Sequence, residues 1–287
     1  MAKHNLEFLN GDYSPLNANA SAKITFLPHR AEVITTQTSA GATGLSGIKK
    51  LTKYSYVNIY TGEVSEYAVN SNKIDNTTSI KQSLKRLRLL IMNNFIEFES
   101  FLITLTYSSE MTNFEQAADD YRKFYDNLKY HYKEYKFEYI RIIEPTGNGI
   151  WHIHILIKSA VYVEKFFIQQ SVVQNLWKHG SVQIRQIYDT TSLAAYFCTY
   201  SNNENVKAKR KPKHLIKQSR WKYYPRNAKI YTKSRGIKAP DCIQTTRGEV
   251  DSILAGYARV SANSLMVKDR DTDTILNKVN YEHFEKS

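Results

Sequence analysis

Apolar positions along the chain fall into two periods, and the changes between them mark out elements. The first 75 residues are polar with scattered β signals. The clearest is YVNIYTGEVSEYAV (Tyr56–Val69), where two short strands flank the turn residues Thr61 and Gly62. A period near 3.6 begins at Ser79: Ile80, Leu84, Leu87 and Ile91 share one face of a helix, and Lys81, Lys85 and Arg88 line another. FLITLTY (Phe101–Tyr107) is a β-rich apolar run. A long helical pattern follows, with Phe114, Ala117, Tyr121, Phe124 and Leu128 as its buried stripe and Asn113 and Gln116 in capping-box positions. FEYIRIIE, PTGNG and WHIHILIK (Phe137–Lys158) read as strand, turn and strand, hence a hairpin. VEKFFIQQSVVQNLW (Val163–Trp177) reads as helix, SVQIRQIY (Ser181–Tyr188) as strand, and TTSLAAYFCTY (Thr190–Tyr200) as a final helix.

The order β-α-β-β-α-β plus one helix is that of an α+β, ferredoxin/RRM-like antiparallel sheet. Such a sheet carries helices on one face and leaves the other available for a ligand. The chain accordingly divides into an N-terminal extension (1–98) with a hairpin and a basic helix, a core (99–204), and a basic, aromatic-rich C-terminal extension (205–287). No internal repeat and no Walker A pattern is visible, so no ATPase motor is indicated.

Two histidines interrupt the apolar run WHIHILIK. Side chains on a strand alternate faces, so Trp151, Ile153, Ile155 and Ile157 point to the helices while His152 and His154 share the open face. Two imidazoles so spaced can ligate one divalent cation. An oxygen donor is the natural third ligand, and Glu144, across the hairpin, is the nearest candidate. A pair of hydrogen-bonded surface histidines is the plain alternative. Tyr196 and Tyr200 sit four apart and share one helical face, a spacing that in a chain with 21 tyrosines also serves ordinary packing.

Charge adds a partner class. Forty Lys and Arg against 27 Asp and Glu give +13, and Val206–Lys238 alone holds thirteen basic residues and no acid, leaving the remainder balanced. Trp221, Tyr223, Tyr224 and Tyr231 are interleaved with these cations, which favours phosphates and bases over a merely solvated face. The candidate DNA contacts are Lys207, Lys209, Arg210, Lys211 and Arg220 in the first half of the segment. In the second half they are Trp221, Lys222, Arg226, Lys233 and Arg235. Hydrophobic content of 42% argues against wholesale disorder. No apolar segment has the length to span a bilayer, MAKHNLEFLNGDY lacks a signal-peptide core, and two cysteines build no disulfide framework. A cytoplasmic protein without membrane association is the expectation.

FLITLTY, GNGIWHIHILIK and YFCTY, in that order over about 100 residues, resemble the motifs of the HUH-superfamily rolling-circle replication initiators of plasmids and phages. The stretch YYPRNAKIYTKSRGIKAP (Tyr223–Pro240) is similar to that group as well. The resemblance implies a site-specific endonuclease and strand transferase in which Mg²⁺ or Mn²⁺, held by His152, His154 and Glu144, assists a tyrosine attack on single-stranded or extruded origin DNA. It implies Tyr196 as the nucleophile, since it occupies the first tyrosine position, with Tyr200 a second nucleophile or a packing residue. Products would be a 5′-phosphotyrosine and a free 3′-OH, with a host helicase and polymerase as partners in a bacterial cytoplasm. One departure stands out: the family often carries Lys three residues after the nucleophile, and here that position is Thr199. A transposase or relaxase would share the same chemistry. A non-catalytic nucleic-acid-binding module on this sheet would carry aromatics where this chain has His152 and His154.

Overall fold

The computed structural model describes residues 6–38, 48–52, 54–58, 61–66, 73, 77–198 and 220–287. The chain forms two compact units, one from 1–69 with 240–287 and one from 70–239. The first begins with β1 (Leu6–Gly11), β2 (Ser21–Leu27), β3 (Arg30–Thr36), β4 (Ile48–Lys50), β5 (Ser55–Asn58) and β6 (Val64–Glu66). The second holds α1 (Thr77–Asn94), β7 (Ser100–Thr106), α2 (Phe114–His131), β8 (Glu138–Pro145), β9 (Trp151–Lys158), α3 (Gln170–Trp177), β10 (Val182–Gln186), α4 (Thr190–Cys198) and β11 (Tyr231–Lys233). The chain then returns to the first unit with β12 (Cys242–Thr246), α5 (Arg247–Ile253), β13 (Tyr257–Asp269) and β14 (Ile275–Lys286).

The first unit is built on a six-stranded antiparallel sheet, β1-β13-β14-β3-β2-β12. The two long C-terminal strands thus lie between strands from the N-terminal end, with Leu6 opposite Asp269 and Thr36 opposite Val279. Ala22, Ile24, Ala31, Val33 and Phe284 form its small core with Val250 and Leu254 from α5 and the residue after it. Glu282, side chain fully buried, accepts from Arg247 and Arg259, which supplies the charge partners that a buried carboxylate requires. β4, β5 and β6 form a separate three-stranded sheet. There Gly62, at φ 71, adopts the left-handed turn conformation between β5 and β6 that favours glycine.

The second unit carries the motifs. Its sheet runs β10-β7-β9-β8-β11, all neighbours antiparallel. The β-α-β-β-α-β part therefore has its strands in the order fourth, first, third, second, with β11 added beside the second. Ile103 and Leu105 of β7 face Ile155 and Ile153 of β9, and Ile143 of β8 faces Ile153 from the other side. All lie in one core with Ala117, Tyr121, Phe124 and Leu128 of α2 and Val173 and Trp177 of α3. At ~2 kcal/mol for each buried branched side chain, this face holds the sheet to its helices. α2 starts where the sequence places it. Asn113 accepts from Gln116 N at 3.0 Å, but the Gln116 amide turns to Asp120 at 2.7 Å, so the reciprocal half of the capping box is not made.

Two local expectations change. The helical pattern from Val163 yields helix only from Gln170. Upstream, Phe166 packs edge-on to Phe101 and Tyr135, and Gln169 N donates to the Tyr132 hydroxyl. Aromatic packing there outweighs helix propensity. The opposite face of the sheet is also not bare. Ile140, Ile142 and Leu156 on that face are buried, and Phe197 of α4 lies over His154 with ring centroids 5.1 Å apart. α1 packs against α4 in turn. Among the described residues no helix is long and apolar enough to cross a membrane.

Candidate active site

The register of the β8–β9 hairpin decides which side chains meet. Glu144 stands directly opposite His152, and Ile142 opposite His154. On the other side, Thr104 and Thr106 of β7 oppose His154 and His152. Directly opposed residues share a sheet face, so Glu144, His152, His154 and Thr104 lie together. Ligand atoms of Glu144, His152 and His154 all fall within 4.8 Å of one another. The two imidazoles are nearly perpendicular, with centroids 4.7 Å apart.

Each donor is held from outside the trio. The Thr104 hydroxyl lies 3.1 Å from His154 Nδ1, which leaves Nε2 to face the Glu144 carboxylate at 3.7 Å. That is the arrangement in which a second group fixes a ligating imidazole. Glu144 is 6% exposed and His154 likewise. Arg220 Nη1 donates to Glu144 Oε1 at 3.1 Å, bringing a cation to the buried carboxylate. Two nitrogens and one oxygen on one side, with space toward the sheet face, fit a small divalent cation with open positions. Sequence reasoning missed Thr104, although strand alternation in FLITLTY places it on the histidine face once the pairing of β7 with β9 is known.

The hairpin turn is clasped by the C-terminal segment. Gly149, at φ +83, lies so close to Tyr223 that an added Cβ would meet its ring at 2.7 Å, and the Tyr223 hydroxyl donates to Gly147 O at 3.0 Å. Tyr224, completely buried, donates to Ile143 O at 2.7 Å, and its ring stacks on Trp221. These contacts carry Arg220 to Glu144.

α4 brings up the tyrosine. Asp189 accepts from Ser192 N at 2.9 Å at its start, and Thr190 Oγ1 donates to Phe95 O at 3.1 Å. Phe197 packs on His154, and the adjacent Tyr196 is 42% exposed. Burial pushes the Tyr196 hydroxyl above its ordinary pKa, the Glu144 carboxylate adds to the rise, and Arg220 and Arg185 oppose it. The hydroxyl therefore lies within electrostatic reach of the Glu144–Arg220 pair.

The candidate DNA contacts divide. Tyr200, Thr199, Lys207, Lys209, Arg210 and Lys211 lie outside the described residues. Lys222, Arg226, Lys233 and Arg235 are exposed. Arg220 is committed to Glu144. Trp221 is 5% exposed and belongs to the core, so the expectation of a base contact through its ring is corrected: the ring is spent on Tyr224. The described part of the basic segment likewise contributes an edge strand and buried Ala228, Ile230 and Ile237.

Residues 100–205 match the family model of the replication-associated protein ORF2. That segment contains Glu144, His152, His154 and Tyr196, and over it the chain is similar to that family. No curated protein and no solved structure matches the chain.

Proposed function

We propose that the chain is a rolling-circle replication initiator of the HUH type, which cuts one strand of origin DNA by tyrosine attack and later rejoins it. The carrying observation is the convergence of Glu144, His152 and His154 within 4.8 Å, inside the segment similar to a replication-associated family. The strand order fourth, first, third, second supports the ferredoxin-like form of that fold.

Glu144, His152 and His154 would hold Mg²⁺ or Mn²⁺, which when bound supplies Lewis-acid polarisation of the scissile phosphoryl group. Thr104 keeps His154 Nε2 aimed at the site, and Arg220 fixes the carboxylate. Phe197 closes the sheet face beside His154 and limits water there. The Tyr196 oxygen attacks phosphorus as its proton leaves to solvent. The bond from phosphorus to the 3′ oxygen breaks, and that oxygen takes up a proton to become a 3′-OH. The new phosphotyrosine ester conserves the bond energy for rejoining. The 3′-OH can prime a host polymerase behind a helicase, in the cytoplasm of the bacterial host. Similarity to a replication-associated family favours this over a transposase or relaxase with the same chemistry.

The test is incubation of the full chain with a labelled single-stranded origin oligonucleotide, with Mn²⁺ or with EDTA. A denaturant-resistant protein–DNA adduct formed only with Mn²⁺ supports the reading. Binding of the same DNA without any adduct or cut product rejects it in favour of a non-catalytic binding module.

A further inference from the structure

Outside the metal cluster, the second unit has a cavity of about 550 Å³ on the opposite side of the sheet. Arg141 of β8 opposes Ile155 of β9 and so lies on the helix-covered face, whereas Glu144, three residues on, lies on the histidine face. Arg141 forms the floor, Arg226, Asn227 and Lys229 one wall, and Phe114 and Glu115 of α2 the other. Three cations thus face a single carboxylate, that of Glu115.

Arg141 is an unusual floor. Its guanidinium sits 4.7 Å above the Tyr121 ring, and its Nε is buried without a hydrogen-bond partner among the described residues. A buried N–H donor costs free energy until something accepts from it. Burial also depresses the Arg141 pKa, with Tyr121 and Tyr139 opposing that effect. No ion pair occupies Arg226 or Lys229 among the described residues. A guanidinium fork with a spare donor, flanked by two more cations and an aromatic wall, suits the oxygens of a phosphate diester.

The cavity is joined to the metal cluster by one short segment. Arg220 binds Glu144 on the histidine face, Tyr223 rounds the hairpin turn at Gly147, and 225–229 line the cavity on the far face. That segment carries Arg220, Lys222, Arg226 and Lys229 and no acid. We propose that the Arg141–Arg226–Lys229 cavity is a second phosphate site for the DNA strand cut at Tyr196, gripping a phosphodiester outside the reacting one as the strand passes round the end of the β8–β9 hairpin. This rests on the proposed function for the identity of the strand, but not for the anion chemistry of the cavity.

The experiment measures anisotropy of a labelled single-stranded origin oligonucleotide against the full chain in EDTA, so that no cutting intervenes, over a salt series. The variants are Arg141→Met, which keeps an apolar stem over Tyr121, the pair Arg226→Gln/Lys229→Gln at the rim, and an exposed control pair, Lys123→Gln/Lys165→Gln. Each cavity variant should weaken binding roughly three- to tenfold near 0.1 M salt and flatten the log–log salt slope by about 0.7 per phosphate released. Arg141→Lys should restore part of the slope. Melting temperatures separate this from misfolding, and the rim pair, fully exposed, should melt like the parent chain. Cavity variants that bind with the control pair's affinity and slope would overturn the site. So would stabilisation of the parent chain by millimolar inorganic phosphate that Arg141→Met abolishes while DNA binding is untouched, which would mark a free-phosphate site. A chain that forms no Tyr196 adduct with any metal, yet loses slope in the cavity variants, would sink the catalytic reading and leave the phosphate site standing.

Discussion

Arg220 donates to Glu144 across 76 residues of sequence, at 3.1 Å, from a segment that otherwise reads as a surface-exposed basic run. The pair ties the C-terminal half of the second unit to the one carboxylate in the histidine cluster. Arg220→Met should lower stability by about 2 kcal/mol, less than a fully buried pair would cost because the Arg220 side chain keeps 19% exposure. A divalent cation in the cluster would replace part of the lost positive charge. The rise in melting temperature on adding Mn²⁺ should therefore be larger in Arg220→Met than in the parent chain. Equal rises, or none in either protein, would count against a cation between Glu144 and the histidines.

Thr104→Val keeps the shape of the side chain and removes the hydroxyl that meets His154 Nδ1. Orienting partners of ligating histidines typically contribute ten- to hundredfold in metal affinity. Calorimetric titration with Mn²⁺ should show at least a tenfold loss with little change in melting temperature. His152→Ala/His154→Ala should show no measurable Mn²⁺ binding at all.

Tyr196→Phe removes one oxygen from a ring that is 42% exposed, so the fold should survive and the covalent adduct should vanish. Electrophoresis under denaturing conditions after reaction with the labelled oligonucleotide checks this. An adduct that persists in Tyr196→Phe and disappears in Tyr200→Phe would assign the chemistry to the second tyrosine.

Gly180→Ala should be among the costliest single changes in the second unit. An added Cβ would lie 2.2 Å from Thr106 O and 2.5 Å from Ser108 N, both backbone atoms that cannot swing aside. Chemical denaturation should show a loss of about 2–3 kcal/mol. Gly147→Ala, with nothing within 4 Å of the new atom, should fall within about 0.5 kcal/mol of the parent.

Alkaline stability should follow the buried tyrosines. Burial raises the pKa of Tyr224, with Glu144 adding and Arg220 opposing, and burial followed by Tyr139 does the same to Tyr121. In the unfolded chain these phenols ionise near 10. Their contribution is therefore fully present below about pH 10 and is lost as pH rises toward the folded values. Melting temperature should be flat from neutral pH to about 9 and then fall. Tyr224→Phe should cost about 1 kcal/mol at neutral pH through its bond to Ile143 O, and should make the alkaline fall shallower.

Local pattern made the second unit readable. Strict alternation in Trp151–Lys158 separates His152 and His154 from the isoleucines, and Asn113 marks the start of α2, without any long-range information. Other features depend on partners remote in sequence. β13 pairs with β1 over more than 250 residues, and most of its positions are exposed or half-buried, so no apolar alternation announces it. Arg220 and Trp221 sit in a run where every cation looks alike, and only the position of Glu144 distinguishes an ion-pair partner from a solvated side chain. The segment before α3 has helical spacing, yet its aromatics find better partners in Phe101 and Tyr135 than along their own backbone.

The six-stranded sheet imposes an order on biosynthesis. β2 and β3 can form their hairpin as soon as they leave the ribosome, but β1 has β13 as its neighbour and β3 awaits β14. At roughly 5–20 residues per second, the stretch from Thr36 to Tyr257 takes on the order of ten seconds or more to emerge. The second unit, whose strands are contiguous within 70–239, is complete before then. During that interval β1 and the outer edge of β3 present unpaired backbone to the cell, a template for pairing with a neighbouring nascent chain. Ribosomes closely spaced on one message would bring such edges together, so crowded translation should favour aggregation of this protein through its earliest residues.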